Sequence, residues 1–469
     1  MANIKYVVLS DLHIGAENSL MTNLYPDTYE TDPTKPSPVM IQMVKCLREV
    51  VAKSGTKPTL VLNGDIMELS LTSTHKAAMS FQRLIELLMP AGEELLFNDE
   101  ILFIPGNHDH NLWETSRFNA YLDLIKEDDP NKNKNILPEL HATRMFTPQS
   151  IKASFLTDLI HNYRHLENIK VNTMYPAFAV EHKSISRCVI FSHAHFVESM
   201  YQLLSTMDCM ISPDRVPPQT LAELEKRNFA WIDFFWSVLG RSGIVGKDVS
   251  LMYDKMQSPK QIEEMVDRFS ENLVGDNGNF IVKWIEKEVL EDVLNFAFQK
   301  MAASERNQNG YLTPGTLEGL QKYMEVQILK QIEMELSGMI PQNITFIFGH
   351  THKPFAKDMK FKGYHGWVNV YNSGGWVVDT TTQMPYHGGA AIFVDEDLNT
   401  ASLQFYKEGS YVFEVEESMN DSVDGHNALY NWLSTSFDFS FSPWTDFQRI
   451  AEDEVKLRHK YLKEIIKTE

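Results

Sequence analysis

Five short runs rich in β-branched and aliphatic residues punctuate the chain, at Tyr6–Leu9, Thr59–Leu62, Ile101–Ile104, Cys188–Phe191 and Thr345–Phe348. Each has the length and apolarity of a buried strand. Between several of them the apolar positions recur at helical spacing, as over Val39–Ser54 and Lys76–Met89. Strands that alternate with covering helices predict an α/β architecture. After Gly374-Gly375-Trp376, the segments Ala390–Val394 and Ser402–Tyr406, joined by the polar turn Asp395–Thr400, predict a closing β-hairpin.

Residues 196–340 have a different texture. Amphipathic helical patterns such as Gln261–Leu273, Phe280–Met301 and Thr316–Leu336 dominate there and predict a helical insertion. The tail from Thr445 to Lys467 reads as a surface helix whose mixed charges form a solvated face. At 469 residues the chain exceeds what one core usually supports. The expected division is a core over residues 1–195 and 341–410, an insertion over 196–340 acting as a cap, and a C-terminal helical extension over 411–469.

Composition narrows the class. A hydrophobic fraction of 43% and a charged fraction of 23% are those of a folded protein. Lys and Arg number 43 against 63 Asp and Glu, a formal net charge of −20. That balance lacks the basic footprint a general nucleic-acid binder needs, so no nucleic-acid partner is expected. The most apolar stretch, Phe229 to Gly240, is interrupted by Asp233 and falls short of the roughly 20 residues that cross a bilayer, so no transmembrane segment is expected. Chemistry begins at Asp11, too early for a signal peptide before it, which gives a cytoplasmic expectation. Cys46, Cys188 and Cys209 lack metal or disulfide spacing and are expected as small buried hydrophobes.

Each of the five runs ends in a polar cluster: Ser-Asp-Leu-His, Asn-Gly-Asp, Pro-Gly-Asn-His-Asp, Ser-His-Ala-His and Gly-His-Thr-His. Sites of open α/β sheets lie beyond the carboxyl ends of the strands, so the clusters predict one site on one edge of the sheet. Asp11 and His13 are one residue apart after a strand, where a period of two turns both side chains to one side and lets them share a cation. His350 and His352 repeat that spacing.

In order along the chain, Asp11-Leu12-His13, Gly64-Asp65-Ile66-Met67-Glu68, Gly106-Asn107-His108-Asp109, His193 and Gly349-His350-Thr351-His352 resemble the motif set of the calcineurin-like metallophosphoesterase superfamily. The resemblance covers roughly residues 1–195 and 340–410. The motif order is also similar to that of bacterial UDP-diacylglucosamine pyrophosphohydrolases, but the insertion here is much larger and no substrate is carried over from them. The resemblance implies a two-sheet α/β/β/α sandwich with a helical insertion. It also implies two divalent metal ions, manganese, iron or zinc. One would be held by Asp11, His13, Asp65 and His352, the other by Asp65, Asn107, His193 and His350, with Asp65 bridging. In many members the fourth motif is His-Gly-Asp, so His195 would fill the acidic position while His193 is the ligand; the reverse assignment stays open.

Two dications a few ångströms apart can activate a water at neutral pH and clamp phosphate oxygens. By the same resemblance His108 faces the leaving group as proton donor and Glu68 orients it. Asp109 is expected in a turn or cap, His110 as either structural or a substrate contact, and His141, His161, His165 and His182 as structural or surface groups. The function implied is hydrolysis of a phosphate monoester, diester or pyrophosphate bond in a small or lipid-linked phosphorylated substrate. A nuclease on the same site and a scaffold without metals are the alternatives. In the expected cap, Phe229–Trp236 is either a packing face between helices or a surface for an apolar group, and Arg241 in Gly240–Gly243 could reach a substrate phosphate.

Overall fold

The computed structural model describes residues 2–127, 139–212, 214–233, 310–418 and 427–467. The five runs become β1 (Ile4–Leu9), β2 (Thr59–Leu62), β3 (Glu100–Phe103), β7 (Arg187–Ser192) and β8 (Asn343–Phe348). They do not share one sheet. β1, β2 and β3 run parallel inside an eight-stranded sheet, whereas β7 and β8 run parallel inside a five-stranded one. With β4 (Ile151–Lys152), β5 (Lys170–Thr173), β6 (Ala177–His182), β9 (Phe355–Met359), β10 (Val368–Asn372), β11 (Gly388–Asp395), β12 (Thr400–Lys407) and β13 (Glu414–Glu416), the first sheet has the order β13-β12-β11-β1-β2-β3-β5-β4 and the second β6-β7-β8-β10-β9. The expected hairpin is β11 (Gly388–Asp395) and β12 (Thr400–Lys407), and β11 lies antiparallel to β1.

Side-chain alternation along the strands builds the layers. Tyr6 and Val8 of β1 point inward and meet Val189 and Phe191 of β7 and Ile347 of β8 in the core between the sheets. Val7 and Leu9 point outward, beneath α1 (Pro38–Ala52), α2 (Thr74–Leu88) and α4 (Ser154–His161). On the second sheet, Cys188, Ile190, Phe346 and Phe348 face the other way. Against them pack Leu221, Leu224 and Ile232 of α6 (Leu221–Ile232) and Leu320 of the helix Pro314–Lys322. The result is an α/β/β/α sandwich, as expected. The described flanks of the insertion supply the outer layer of the second sheet. Gln261–Leu273, Phe280–Met301, Phe234–Trp236 and Arg241 lie outside the described residues.

The C-terminal helix Trp444–Lys467 differs from the expected solvated surface helix. Trp444, Phe447, Ala451, Val455 and Leu462 belong to the core of the first sheet, and the chain before it adds β13 (Glu414–Glu416) to that sheet's edge. Its charged residues mask an amphipathic repeat, and Arg458 sits in the buried stripe. Arg458 pairs with Glu454 and donates to the carbonyls of Ser19 at 3.2 Å and Thr22 at 2.7 Å. Those two residues hold the segment after His13, because Ser19 Oγ donates to the Leu12 carbonyl and Thr22 Oγ1 accepts from Gly15 N–H. Arg458→Met keeps the bulk but strands the carbonyls, so a loss of roughly 2–4 kcal/mol is expected. Urea denaturation measures it, and a change below about 0.5 kcal/mol would show that the carbonyls find other partners.

Candidate metal centre

The polar clusters of both sheets open on a common edge. Asp11 and His13 follow β1, Asp65 follows β2, Asn107 and His108 follow β3, His193 follows β7, and His350 and His352 follow β8. All are nearly or fully buried. The ligand atoms of Asp11, His13 and His352 lie within 4.8 Å of one another, and so do those of Asp65, His193 and His350. Asp65 Oδ2 joins the two groups, 3.6 Å from His13 Nε2 and 3.2 Å from His193 Nε2. Asn107 Oδ1 is 3.1 Å from His193 Nε2.

The side chains converge for a reason other than the strand pleat. β1 stops at Leu9 and β8 at Phe348. Beyond them Asp11, His13, Asp65, His350 and His352 all have positive φ, between 43° and 70°. Left-handed backbone costs an L-residue about 1–2 kcal/mol, and such conformations persist where the surroundings enforce them, typically at functional sites. Asp11 N–H donates to the Gly64 carbonyl and His13 N–H to the Asp65 carbonyl, while His350 N–H donates to Asp11 Oδ1. Gly349 is required by close approach, since a Cβ there would lie 2.1 Å from Asp11 Oδ2.

Hydrogen bonds on the far side of three of the rings fix their tautomers. His13 Nδ1 is 2.9 Å from Glu68 Oε2, His352 Nδ1 is 2.5 Å from Asp379 Oδ2, and His193 Nδ1 is 3.3 Å from the Asn63 carbonyl. With Nδ1–H donating outward, the Nε2 lone pairs of these rings face one another and the carboxylates of Asp11 and Asp65. Facing acceptors repel unless positive charge lies among them. Asp65 Oδ2, Asn107 Nδ2 and both nitrogens of His350 lack hydrogen-bond partners among the described residues, though His350 Nε2 stands 3.2 Å from Glu198 Oε1. Burial alone would lower the His193 pKa, but Asp65 and Asp11 push it up to about 9. The pocket demands cationic charge, and mixed imidazole, carboxylate and amide donors are those that bind divalent transition metals.

Glu68 is engaged twice. Besides His13 it meets His108 Nδ1 at 3.0 Å, and its Oε1 accepts from the N–H groups of Ser70 and Leu71. Burial would raise its pKa, but His108 and His13 hold it well below the carboxylate range. Asp109 accepts from the N–H groups of Gly106 and Ile66 and ties the second and third motifs together, a turn role as expected. His161 and His165 bond the carbonyls of Ile169 and Met89.

Of the two histidines after β7, His193 reaches Asp65 and Asn107, whereas His195 Nε2 lies 3.3 Å from Tyr175 Oη. His110 is fully buried, with Nε2 2.9 Å from Glu225 Oε1. Sequence reasoning missed Asp379, Glu198 and Glu225. Glu225 had a signal, a carboxylate within the buried stripe Leu221, Leu224, Asn228 and Ile232 of α6. Asp379 had none, because it reaches His352 from the segment between β10 (Val368–Asn372) and β11.

Residues 4–198 match the family model described as calcineurin-like phosphoesterase. The matched segment holds Asp11, His13, Asp65, Glu68, Asn107, His108 and His193 and stops before His350 and His352, which the fold carries to the same edge. No curated protein matches the chain. Among the described residues no helix is long and apolar enough to cross a membrane.

Proposed function

We propose, from the match of residues 4–198 to the calcineurin-like phosphoesterase model and the His/Asp groups gathered at the sheet edge, that the chain uses two divalent cations to cleave a monoester, diester or pyrophosphate bond in a small or lipid-linked substrate. Asp11, His13, Asp65 and His352 would hold one cation, and Asp65, Asn107, His193 and His350 the other. The observation that carries this reading is the set of rings with Nδ1–H tied outward and Nε2 turned onto Asp11 and Asp65. Manganese, iron and zinc all suit such donors. When bound, the pair supplies Lewis-acid charge that activates water and neutralises phosphate oxygens.

The chain's own residues do the rest. Glu68 accepts from His108 Nδ1–H and so orients that ring, whose opposite nitrogen, in the protonated ring, would donate to the departing oxygen. Burial excludes water from both carboxylates and strengthens each charge interaction there. The core of the enzyme is read as residues 1–195 and 341–410, with 196–340 as a cap that selects substrate and 411–469 as an extension.

The experiment is a panel of phosphomonoesters, phosphodiesters, nucleotide pyrophosphates and DNA, run on chelator-stripped protein before and after manganese. Activity is expected only with metal, and on a small-molecule class. Undiminished turnover in metal-free protein would refute the reading, and cleavage of DNA alone would replace it with a nuclease.

A further inference from the structure

Glu225 is a fully buried carboxylate on α6, a helix of the insertion, yet its partners belong to the catalytic part of the chain. Its Oε1 lies 2.9 Å from His110 Nε2, and its Oε2 accepts from Tyr175 Oη at 2.8 Å. Tyr175 has one proton, and the charged, shorter contact takes it. The Tyr175 oxygen is then left to accept from His195 Nε2–H at 3.3 Å. A chain of hydrogen bonds thus runs from the insertion to His195.

His195 is separated from His193 only by Ala194, whose φ of 65° is left-handed without being glycine. That conformation costs about 1–2 kcal/mol and must be held from outside. On one side the loop is pinned by His193 itself, through the Asn63 carbonyl. On the other it is pinned by His195 through Tyr175.

We infer that Glu225 is a positioning residue through which the insertion sets the second half-site: by accepting from both Tyr175 and His110 it holds the Ser192–His195 loop, and with it the His193 ring, against Asp65 and Asn107. The inference rests on the proposed reading that these residues bind a cation, and it gives the insertion a part in metal binding besides substrate selection. Hydrogen bonds behind metal ligands typically change metal affinity 10–100-fold when removed. Tyr175 and His110 sit on different oxygens of Glu225, and a glutamine puts an NH2 donor in place of one of them, so it cannot accept at both positions.

The test is manganese titration of chelator-stripped protein by calorimetry, comparing wild type with Glu225→Gln, Tyr175→Phe and the double variant. Wild type is expected to bind two equivalents. Glu225→Gln should weaken one of them by about 10–100-fold and leave the other unchanged, a selectivity that general destabilisation does not produce. The double variant should be no weaker than Glu225→Gln alone, because both changes cut one chain of contacts. If Glu225→Gln does not fold, Tyr175→Phe decides by the same selective weakening. Unchanged affinities, equal weakening of both equivalents, or additive effects would overturn the inference. So would a third equivalent lost with Glu225, which would make His110, Glu114 and Glu225 a cation site in its own right. Wild type that binds no manganese would instead overturn the dimetal reading, and this inference with it.

Discussion

Asp65→Asn is expected to cost activity by about 10³-fold or more and to lower metal content in both half-sites together, because in the proposed reading one carboxylate oxygen serves both. Asp65 Oδ2 stands 3.6 Å from His13 Nε2 and 3.2 Å from His193 Nε2, and it has no hydrogen-bond donor among the described residues. Burial would raise its pKa, but His193 and His108 keep it well below the carboxylate range, so its charge is present at neutral pH. The amide removes that charge and can turn its NH2 group toward the lone pairs instead. Loss of several kcal/mol of charge stabilisation corresponds to the expected factor. Oδ1 accepts from His108 N–H at 2.8 Å, a bond that an asparagine oxygen can retain, so the fold should survive. Elemental analysis and circular dichroism on the same sample check both halves. Full occupancy of two metals in the variant would remove Asp65 from its bridging role.

The gathering of Asp11, His13, Asp65, His193, His350 and His352 is legible in the sequence, because the strand-end motifs lie where the topology brings them together. The reason the ligands converge is not legible in the same way. The period-of-two argument for Asp11 and His13 assumes extended backbone, whereas both residues are left-handed and bound to the Asp65 loop. Nor does the sequence divide the runs between sheets. Thr59–Leu62 and Cys188–Phe191 look alike since each belongs to a strand buried on both faces. Charge misleads twice, at Arg458 and at Glu225, where a single ionised residue stands in a buried helical stripe. In both places it takes a structural partner from a distant segment, which local periodicity cannot reveal. Asp379 is of the same kind, with its partner His352 lying on the other side of β10.

Replacing His108 by Asn is expected to separate the proposed proton donor from the proposed metal ligands. His108 Nδ1 is held by Glu68 at 3.0 Å, its ring lies 4.6 Å from that of His13, and it groups with His13 and Glu68 rather than with either half-site. Burial lowers its pKa, against the opposing pull of the Glu68 and Asp65 carboxylates. The variant is expected to keep both metals and to lose about 10²–10⁴-fold in turnover on esters with a poor leaving group. On a nitrophenyl ester, whose departing oxygen needs little help, the deficit should shrink toward unity. Glu68 cannot serve for the same test, because it also fixes the His13 tautomer at 2.9 Å, and its removal would disturb metal binding and proton donation together. The comparison of the two leaving groups is therefore made on His108→Asn, with metal content measured alongside. An equal deficit on both esters, or the loss of one metal equivalent, would mean that His108 supports the ligand shell and that the proton comes from elsewhere.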